Sequence, residues 1–120
     1  MMVSKGQLED SISKAMVQFE KEFLGRGPEE VKTFILGDLI LVRLKGILSP
    51  AEQHLASNHE GKMLVKQVRI QLIEKSRVML EEIIHNMTER SVVSLHTDIS
   101  TTTGERIFVF ILDQQLYPIA

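Results

Sequence analysis

Apolar side chains recur every three or four residues near the start of the chain, which is the spacing of one face of an α-helix. The positions on this face are Leu8, Ile12, Ala15, Met16, Phe19 and Phe23. The segment Gly25-Arg26-Gly27-Pro28 follows. Glycine tolerates the left-handed conformation of a helix end, and proline cannot continue a helix. The pattern therefore predicts an amphipathic first helix that ends at this segment.

Two β-rich runs flank Gly37-Asp38, a dipeptide typical of a two-residue hairpin turn. This turn fixes the pairing, with Leu36 opposite Leu39. One face of the hairpin then carries Val31, Thr33, Ile35, Ile40, Val42 and Leu44. The other carries Phe34, Leu36, Leu39 and Leu41, with Lys32 and Arg43 further out. A hairpin that is apolar on both faces must be covered twice. We therefore predict a homodimer or higher homo-oligomer, with Phe34, Leu36, Leu39 and Leu41 as candidate interface residues.

Two helices are predicted between the hairpins. Ser49-Pro50-Ala51-Glu52 has the capping serine, first-turn proline and third-position glutamate of a helix start. A break near 58–61 separates this short helix from a long one, from about Lys62 to Met87. The stripe predicted to face the core is Val65, Val68, Leu72, Met79, Ile83 and Met87, widened by Leu64, Ile73, Leu80 and Ile84. The basic residues expected on its solvated face are Lys62, Lys66, Arg69, Lys75 and Arg77.

The last hairpin pairs 92–99 with 106–112 around the polar loop 100–104. With a near-symmetric register, one face is apolar, with Val93, Leu95, Ile107, Val109 and Ile111. The other is mixed, with Ser94, His96, Asp98, Arg106, Phe108 and Phe110. This register places Arg106 opposite Asp98 and predicts that His96, Asp98 and Arg106 form one polar cluster. Together the elements predict a single α+β domain over 1–120, in the order α-β-β-α-α-β-β, with 113–120 as a C-terminal tail.

Composition narrows the classes of function. At 120 residues the chain fits one domain, and its net charge of -2 gives no field that attracts nucleic acid. It contains no cysteine, which excludes disulfides, thiolate catalysis and iron–sulfur clusters. The histidines show no metal-ligand spacing, so we expect no metal and no cofactor. No apolar run approaches the roughly 20 residues that span a bilayer, so we expect no direct membrane insertion.

Two groups of polar residues suggest chemistry. Arg26 in its glycine-rich segment, together with Thr103 and Gly104 of the Ser100–Gly104 loop, would suit a small anion or a nucleotide. The alternative is a helix end and a solvated hairpin loop. His96, Asp98 and Arg106 would suit a small hydrolase or lyase, because a carboxylate can orient an imidazole. No nucleophile lies beside them, so we assign no catalytic residue, and an enzyme is the less favoured interpretation.

Three segments resemble motifs of a bacterial family, and they occur in the same order. They are Phe19-Glu20-Lys21-Glu22-Phe23-Leu24-Gly25-Arg26-Gly27-Pro28-Glu29-Glu30-Val31, Leu41-Val42-Arg43-Leu44-Lys45-Gly46-Ile47-Leu48-Ser49-Pro50-Ala51-Glu52, and Ser94-Leu95-His96-Thr97-Asp98-Ile99-Ser100 with Thr103-Gly104-Glu105-Arg106. The family is MpsC, named after a sodium-translocating, membrane-potential-generating system that is linked to bicarbonate uptake. The resemblance implies a non-enzymatic accessory or regulatory subunit. It would be cytoplasmic, at the inner membrane through a protein partner of a transport complex.

Overall fold

The computed structural model describes residues 3–117 as a four-stranded antiparallel sheet with helices against one face. The elements are α1 (Lys5–Leu24), β1 (Glu30–Leu36), β2 (Leu39–Lys45), α2 (Pro50–Leu55), α3 (His59–Thr88), β3 (Val92–Ser100) and β4 (Glu105–Leu112). The strand order across the sheet is β1-β2-β4-β3, so the two hairpins lie side by side. The predicted α+β class and element order are confirmed.

Local signals close the ends of the helices, and the sequence predicts two of them, the stop at Gly25 and the capping box of α2. Ser4 caps α1 by accepting from the Gln7 backbone N–H at 3.1 Å. Gly25, with φ 93°, ends α1 in the left-handed conformation. Ser49 and Glu52 form the predicted capping box of α2. The Asn58 side chain accepts from the Gly61 N–H at 2.8 Å, so α3 begins at His59, three residues before the predicted start.

The first hairpin has the predicted register, with Leu36 opposite Leu39 and Thr33 opposite Val42. Its inner face lies on the helices, and Ile35, Ile40, Val42 and Leu44 are at most 1% exposed. Its other face is open in the single chain, where Phe34 is 40% and Leu36 59% exposed. The helices therefore cover one of the two apolar faces.

The second hairpin differs from the predicted register by one residue. Arg106 lies opposite Ile99, not Asp98, and Ser100 lies opposite Glu105. A shift of one residue moves every side chain of one strand to the other face relative to its partner strand. The face of β4 that carries Arg106, Phe108 and Phe110 is the buried one. The predicted apolar face of Val93, Leu95, Ile107, Val109 and Ile111 does not form, because Leu95 is buried opposite Phe110 while the three β4 residues lie on the other side of the sheet.

The core-facing stripe of α3 is rotated relative to the predicted one. Its buried residues are Gly61, Val65, Arg69, Ile73, Leu80, Ile84 and Thr88. Val68 and Leu72, predicted to face the core, are 57% and 37% exposed, whereas Arg69, predicted to be solvated, is 3% exposed. The rotation places a guanidinium in the core, and an apolar stripe remains at the surface beside it.

The segment after β4 folds back on the first hairpin. The Leu116 N–H donates to the Gly37 carbonyl at 3.2 Å. The Tyr117 hydroxyl donates to the Val3 carbonyl at 2.9 Å, and both side chains pack against the core. Residues 113–117 of the predicted tail therefore contact the domain, and 118–120 lie outside the described residues.

Candidate functional site

Three charged side chains lie in the interior between the helices and the sheet. Glu20 of α1 is 1% exposed, Arg69 of α3 is 3% exposed and Arg106 of β4 is 1% exposed. Glu52 of α2 reaches the group from its edge. We call these four residues the buried charge cluster. Because each comes from a different element, the cluster joins α1, α2, α3 and the sheet.

Arg69 makes the strongest contacts of the buried charge cluster. Its Nε and Nη2 donate to the two carboxylate oxygens of Glu52 at 2.9 and 2.6 Å. Nη2 also donates to the Ile47 carbonyl at 3.1 Å. Two parallel bonds match the fork of a guanidinium to a carboxylate. Although burial raises the pKa of Glu52, the hydrogen bonds from Arg69 and Ser49 hold it below its usual value.

Arg106 has fewer partners. Its Nη1 donates to the Thr97 hydroxyl at 2.9 Å, and its guanidinium carbon lies 5.4 Å from the centre of the Phe108 ring. Nε and Nη2 make no hydrogen bond within the described part of the chain. Burial lowers the pKa of Arg106 to about 10, against the opposing charge of Glu20. It therefore remains charged at neutral pH.

Glu20 is buried near two cations without forming a close pair with either. Its Oε2 lies 3.9 Å from Arg69 Nη1, and Oε1 makes no hydrogen bond to the described residues. Burial raises the pKa of Glu20 to about 7, although the charges of Arg106 and Arg69 act to lower it. Glu20 consequently titrates near neutrality. At 1% exposure it is not accessible to a substrate, so the arrangement favours a structural role.

The predicted anion site divides into two parts. Arg26 donates to the carbonyls of Leu48 at 3.0 Å and Gly46 at 3.3 Å, which ties the end of α1 to the segment after β2. Thr103 and Gly104 line an open cleft of about 420 Å³. Its lining is Glu29, Gly46, Leu48, Gln53, Thr101, Thr102, Thr103 and Gly104. Arg26 is not among these residues, whereas the Glu29 carboxylate is, so the geometry gives an anion little support.

The predicted cluster of His96, Asp98 and Arg106 does not form. His96 and Asp98 are exposed on the outer side of β3, while Arg106 faces the core from β4. His96 Nε2 contacts the Ser94 hydroxyl at 3.1 Å. Asp98 accepts from the Ile99 N–H, which lowers its pKa, and it pairs with Lys66 at 3.4 Å. The sheet thus separates the histidine from the arginine, and the geometry does not favour a hydrolase or lyase.

The candidate interface residues lie on the side of the sheet away from the helices, which we call the outer sheet face. Strand register arranges its side chains in four rows. From the Gly37 turn outwards, the rows are Leu36, Leu39, Ile111 and Ser94; Phe34, Leu41, Val109 and His96; Lys32, Arg43, Ile107 and Asp98; and Glu30, Lys45, Glu105 and Ser100. An apolar patch therefore occupies one end and a mixed-charge patch the other.

A second apolar surface lies on α3. Leu64, Val68 and Leu72 are spaced four residues apart and are 53%, 57% and 37% exposed. This spacing places them on one side of the helix, beside the buried stripe. We call these three residues the helix stripe. Three polar residues, Gln67, Gln71 and Lys75, border the helix stripe. Together with Val68 and Leu72 they line a shallow groove.

Sequence reasoning did not identify Glu20 and Arg69 as buried residues. A signal exists for each of them. Arg69 lies four residues from both Val65 and Ile73, and Glu20 lies four residues after Met16, so both have core spacing. The charge of these side chains favoured the solvated interpretation. Only the presence of partners at the correct distance compensates a buried charge.

Comparison with known proteins decides the family. Residues 4–114 match the family described as Na⁺-translocating membrane potential-generating system (MpsC). The chain belongs to the MpsC family. YbcI of Bacillus subtilis (strain 168), described as uncharacterized, is 48% identical over 116 residues, covering 97% of this chain and 94% of YbcI. YrhF of the same organism, also described as uncharacterized, is 28% identical over 100 residues and 82% of each chain.

No solved structure matches this MpsC-family chain. Within residues 3–117 no three histidine or acidic side chains are grouped closely enough to hold a metal ion. In the same range, no helix combines the length and the apolar character needed to cross a bilayer.

Proposed function

We propose that this MpsC-family protein is a non-enzymatic accessory or regulatory subunit that acts through protein contacts in a Na⁺-translocating, membrane-potential-generating system. The supporting observation is the helix stripe. A surface helix normally presents one apolar stripe, and that stripe faces the core. Here α3 buries Val65, Ile73 and Leu80 and also exposes Leu64, Val68 and Leu72. Contiguous exposed apolar surface of this kind is typical of a site that binds another protein.

The proposed partner is a protein component of the membrane system. Apolar residues four positions apart on a helix are the anchors by which a helix binds in a groove or against another helix. The polar border of Gln67, Gln71 and Lys75 fits a rim around such anchors. We further propose a cytoplasmic location, at the inner membrane through this partner, and a role linked to bicarbonate transport, as the family resemblance implies.

Co-purification tests the proposed contact. Tagged wild-type protein is isolated from the native host in detergent beside Val68→Asp and Val78→Asp. Val78 is a matched control, since it is the same residue on the same helix, is 68% exposed and lies outside the helix stripe. We expect wild type and Val78→Asp to retain the membrane components of the Na⁺ system, and Val68→Asp to lose them.

A functional measurement accompanies the purification. In a strain that lacks the gene, we expect a reduced Na⁺-dependent membrane potential, measured with a potential-sensitive dye. Wild type and Val78→Asp should restore it, and Val68→Asp should not. An unchanged potential in the deletion strain would refute the proposal, and so would equal restoration by both variants.

A further inference from the structure

The outer sheet face has the anatomy of a protein interface. Six apolar side chains lie together in its first two rows, namely Phe34, Leu36, Leu39, Leu41, Val109 and Ile111. Ser94 and His96 border them on β3, and charged residues follow in the last two rows. Fully apolar centres with polar borders are typical of interface cores and rims. The helices pack against the opposite face, and Lys66 of α3 reaches this one at its β3 edge, where it pairs with Asp98 at 3.4 Å. Among the described residues, Phe34 and Leu36 remain 40% and 59% exposed.

The charges on the outer sheet face are balanced and ordered. The last two rows contain three cations, Lys32, Arg43 and Lys45, and three anions, Glu30, Asp98 and Glu105. Lys32 lies on edge strand β1, and Asp98 lies in the same row on the other edge strand, β3. The β1 edge of this row is thus basic and the β3 edge acidic. A second copy turned so that its β3 faces β1 of the first would therefore place opposite charges against each other at both edges.

We propose that a second copy of this chain binds the outer sheet face, with a two-fold axis between the sheets and parallel to the strands. This rotation keeps each row at its own level and exchanges β1 with β3 and β2 with β4. Leu39 then lies over Ile111 of the second copy, and Leu41 over its Val109. Lys32 lies over Asp98 of the second copy. The apolar centres of the first two rows therefore meet each other, with Leu36 and Phe34 over the bordering Ser94 and His96, and one pair of opposite charges faces across the third row. Two sheets packed in this way form an aligned sandwich.

The size of the face predicts a reversible dimer. Seven residues at about 3.3 Å and four strands at about 4.8 Å give a flat footprint of about 440 Å². Side-chain relief increases this area, but a standard interface buries about 800 Å² on each partner. The interface therefore lies at the small end of the specific range. We expect a dimer that dissociates on dilution rather than an obligate one.

Sedimentation equilibrium over a range of concentrations tests the dimer. Wild type should change from 13.6 kDa to twice that mass as concentration rises. Leu36→Asp introduces a carboxylate at a side chain that is 59% exposed in the single chain, so the monomer should fold as judged by circular dichroism. We expect this variant to remain monomeric. Val78→Asp, at a 68% exposed position on α3, should dimerise as wild type does.

Charge reversal tests the axis. Lys32→Glu and Asp98→Lys should each raise the dimer Kd about fivefold or more, because like charges then face each other. The double variant should return the Kd to within about twofold of wild type, because the pair is restored with reversed sign. Asp98→Lys also removes the pair with Lys66, which is on the surface of the same chain. Lys66→Ala removes that pair alone and, because it leaves Asp98 free to face Lys32, should not raise the Kd.

A monomer at several hundred micromolar would overturn the proposal. A dimer that Leu36→Asp leaves intact would do the same. Failure of the double charge reversal to restore the Kd would overturn the proposed axis. Because the helix stripe and the outer sheet face lie on opposite layers, loss of dimerisation is distinguishable from loss of the membrane partner: Leu36→Asp affects the first and Val68→Asp the second.

Discussion

Arg69 connects three parts of the chain that are distant in sequence. It holds Glu52 of α2 by two hydrogen bonds and the Ile47 carbonyl by a third, and it lies near Glu20 of α1. Desolvation makes such a group costly unless every partner is present. The net contribution of the Arg69–Glu52 pair to stability is therefore small, but removal of one partner leaves a fully buried charge, Glu20 or Arg69, with less compensation.

Arg69→Ala should lower the free energy of unfolding by about 3 kcal/mol or more, because it leaves the Ile47 carbonyl without its donor and the buried Glu20 without its neighbouring cation. Lys75→Ala is the matched control on the same helix. Its side chain is exposed, so its cost should be within about 0.5 kcal/mol. Urea unfolding followed by circular dichroism measures both. Equal costs for the two variants would contradict a structural role for the buried charge cluster.

Glu20 should make stability depend on pH. Its pKa is raised from 4.5 to about 7 in the folded protein, so the folded state keeps a proton that the unfolded state loses. The contribution of Glu20 is therefore largest below about pH 4.5, falls as the pH rises to about 7 and is constant above that. The fall amounts to at most about 3 kcal/mol.

Glu20→Gln removes this titration. Relative to wild type, the variant should gain stability as pH rises from 4.5 to 7, with no further relative gain above pH 7. Urea unfolding at several pH values gives this difference. A constant difference between the two proteins across the range would show that Glu20 does not titrate there. Ser11→Ala, an exposed change of a non-titratable residue in the same helix, is the control and should show no such trend.

At the scale of elements, the approach of α2 to the start of α3 depends on a glycine. A Cβ on Gly61 would lie 1.6 Å from the carbonyl oxygen of Leu55, the last residue of α2. Backbone atoms cannot move aside as a flexible side chain can. The sharp connection between the two helices therefore requires this position to have no side chain.

Gly61→Ala should lower the free energy of unfolding by about 1 to 3 kcal/mol, the usual cost of overpacking. Gly6→Ala is a matched change in helix α1, where an added Cβ meets nothing within 4 Å. It should raise stability by about 0.5 kcal/mol, since alanine favours the helix. Thermal melts that rank Gly6→Ala below Gly61→Ala would contradict this description of the junction.

At the scale of the whole molecule, the two ends of the described chain meet. Tyr117 bonds Val3, and Leu116 bonds the Gly37 turn between β1 and β2. The segment after β4 thus fastens the start of α1 and the first turn together. Stability of the first hairpin should consequently depend on residues that are about 80 positions away in sequence.

Truncation after Asp113 should lower the free energy of unfolding by about 1 to 3 kcal/mol, because it removes the packed side chains of Leu116 and Tyr117 and their two hydrogen bonds. Gln114→Ala, an exposed change in the same segment, should remain within about 0.5 kcal/mol of wild type. The urea midpoint measures both. No loss on truncation would mean that these contacts do not stabilise the domain.

The sequence by itself determined the elements, their order and the first hairpin. Ser49, Glu52 and Gly25 are local signals, because a cap or a left-handed terminus involves only neighbouring residues. The two-residue Gly37-Asp38 turn likewise fixed its register, since so short a loop leaves few alternatives. The match to MpsC-family motifs also needed no structure.

Tertiary structure decided which faces are buried. The four-residue loop between Ser100 and Glu105 permits more than one register, and the core selected the one that buries Phe108 and Phe110, taking Arg106 inside with them. Packing against α1 and the sheet likewise rotated α3, so that Arg69 faces inwards and Val68 outwards. Hydrophobic periodicity indicates how wide the apolar side of a helix is, but not which part of that side faces the core. A charged side chain is buried only where another element supplies its partner. Burial of Glu20, Arg69 and Arg106 and exposure of the outer sheet face therefore followed only from the assembled fold.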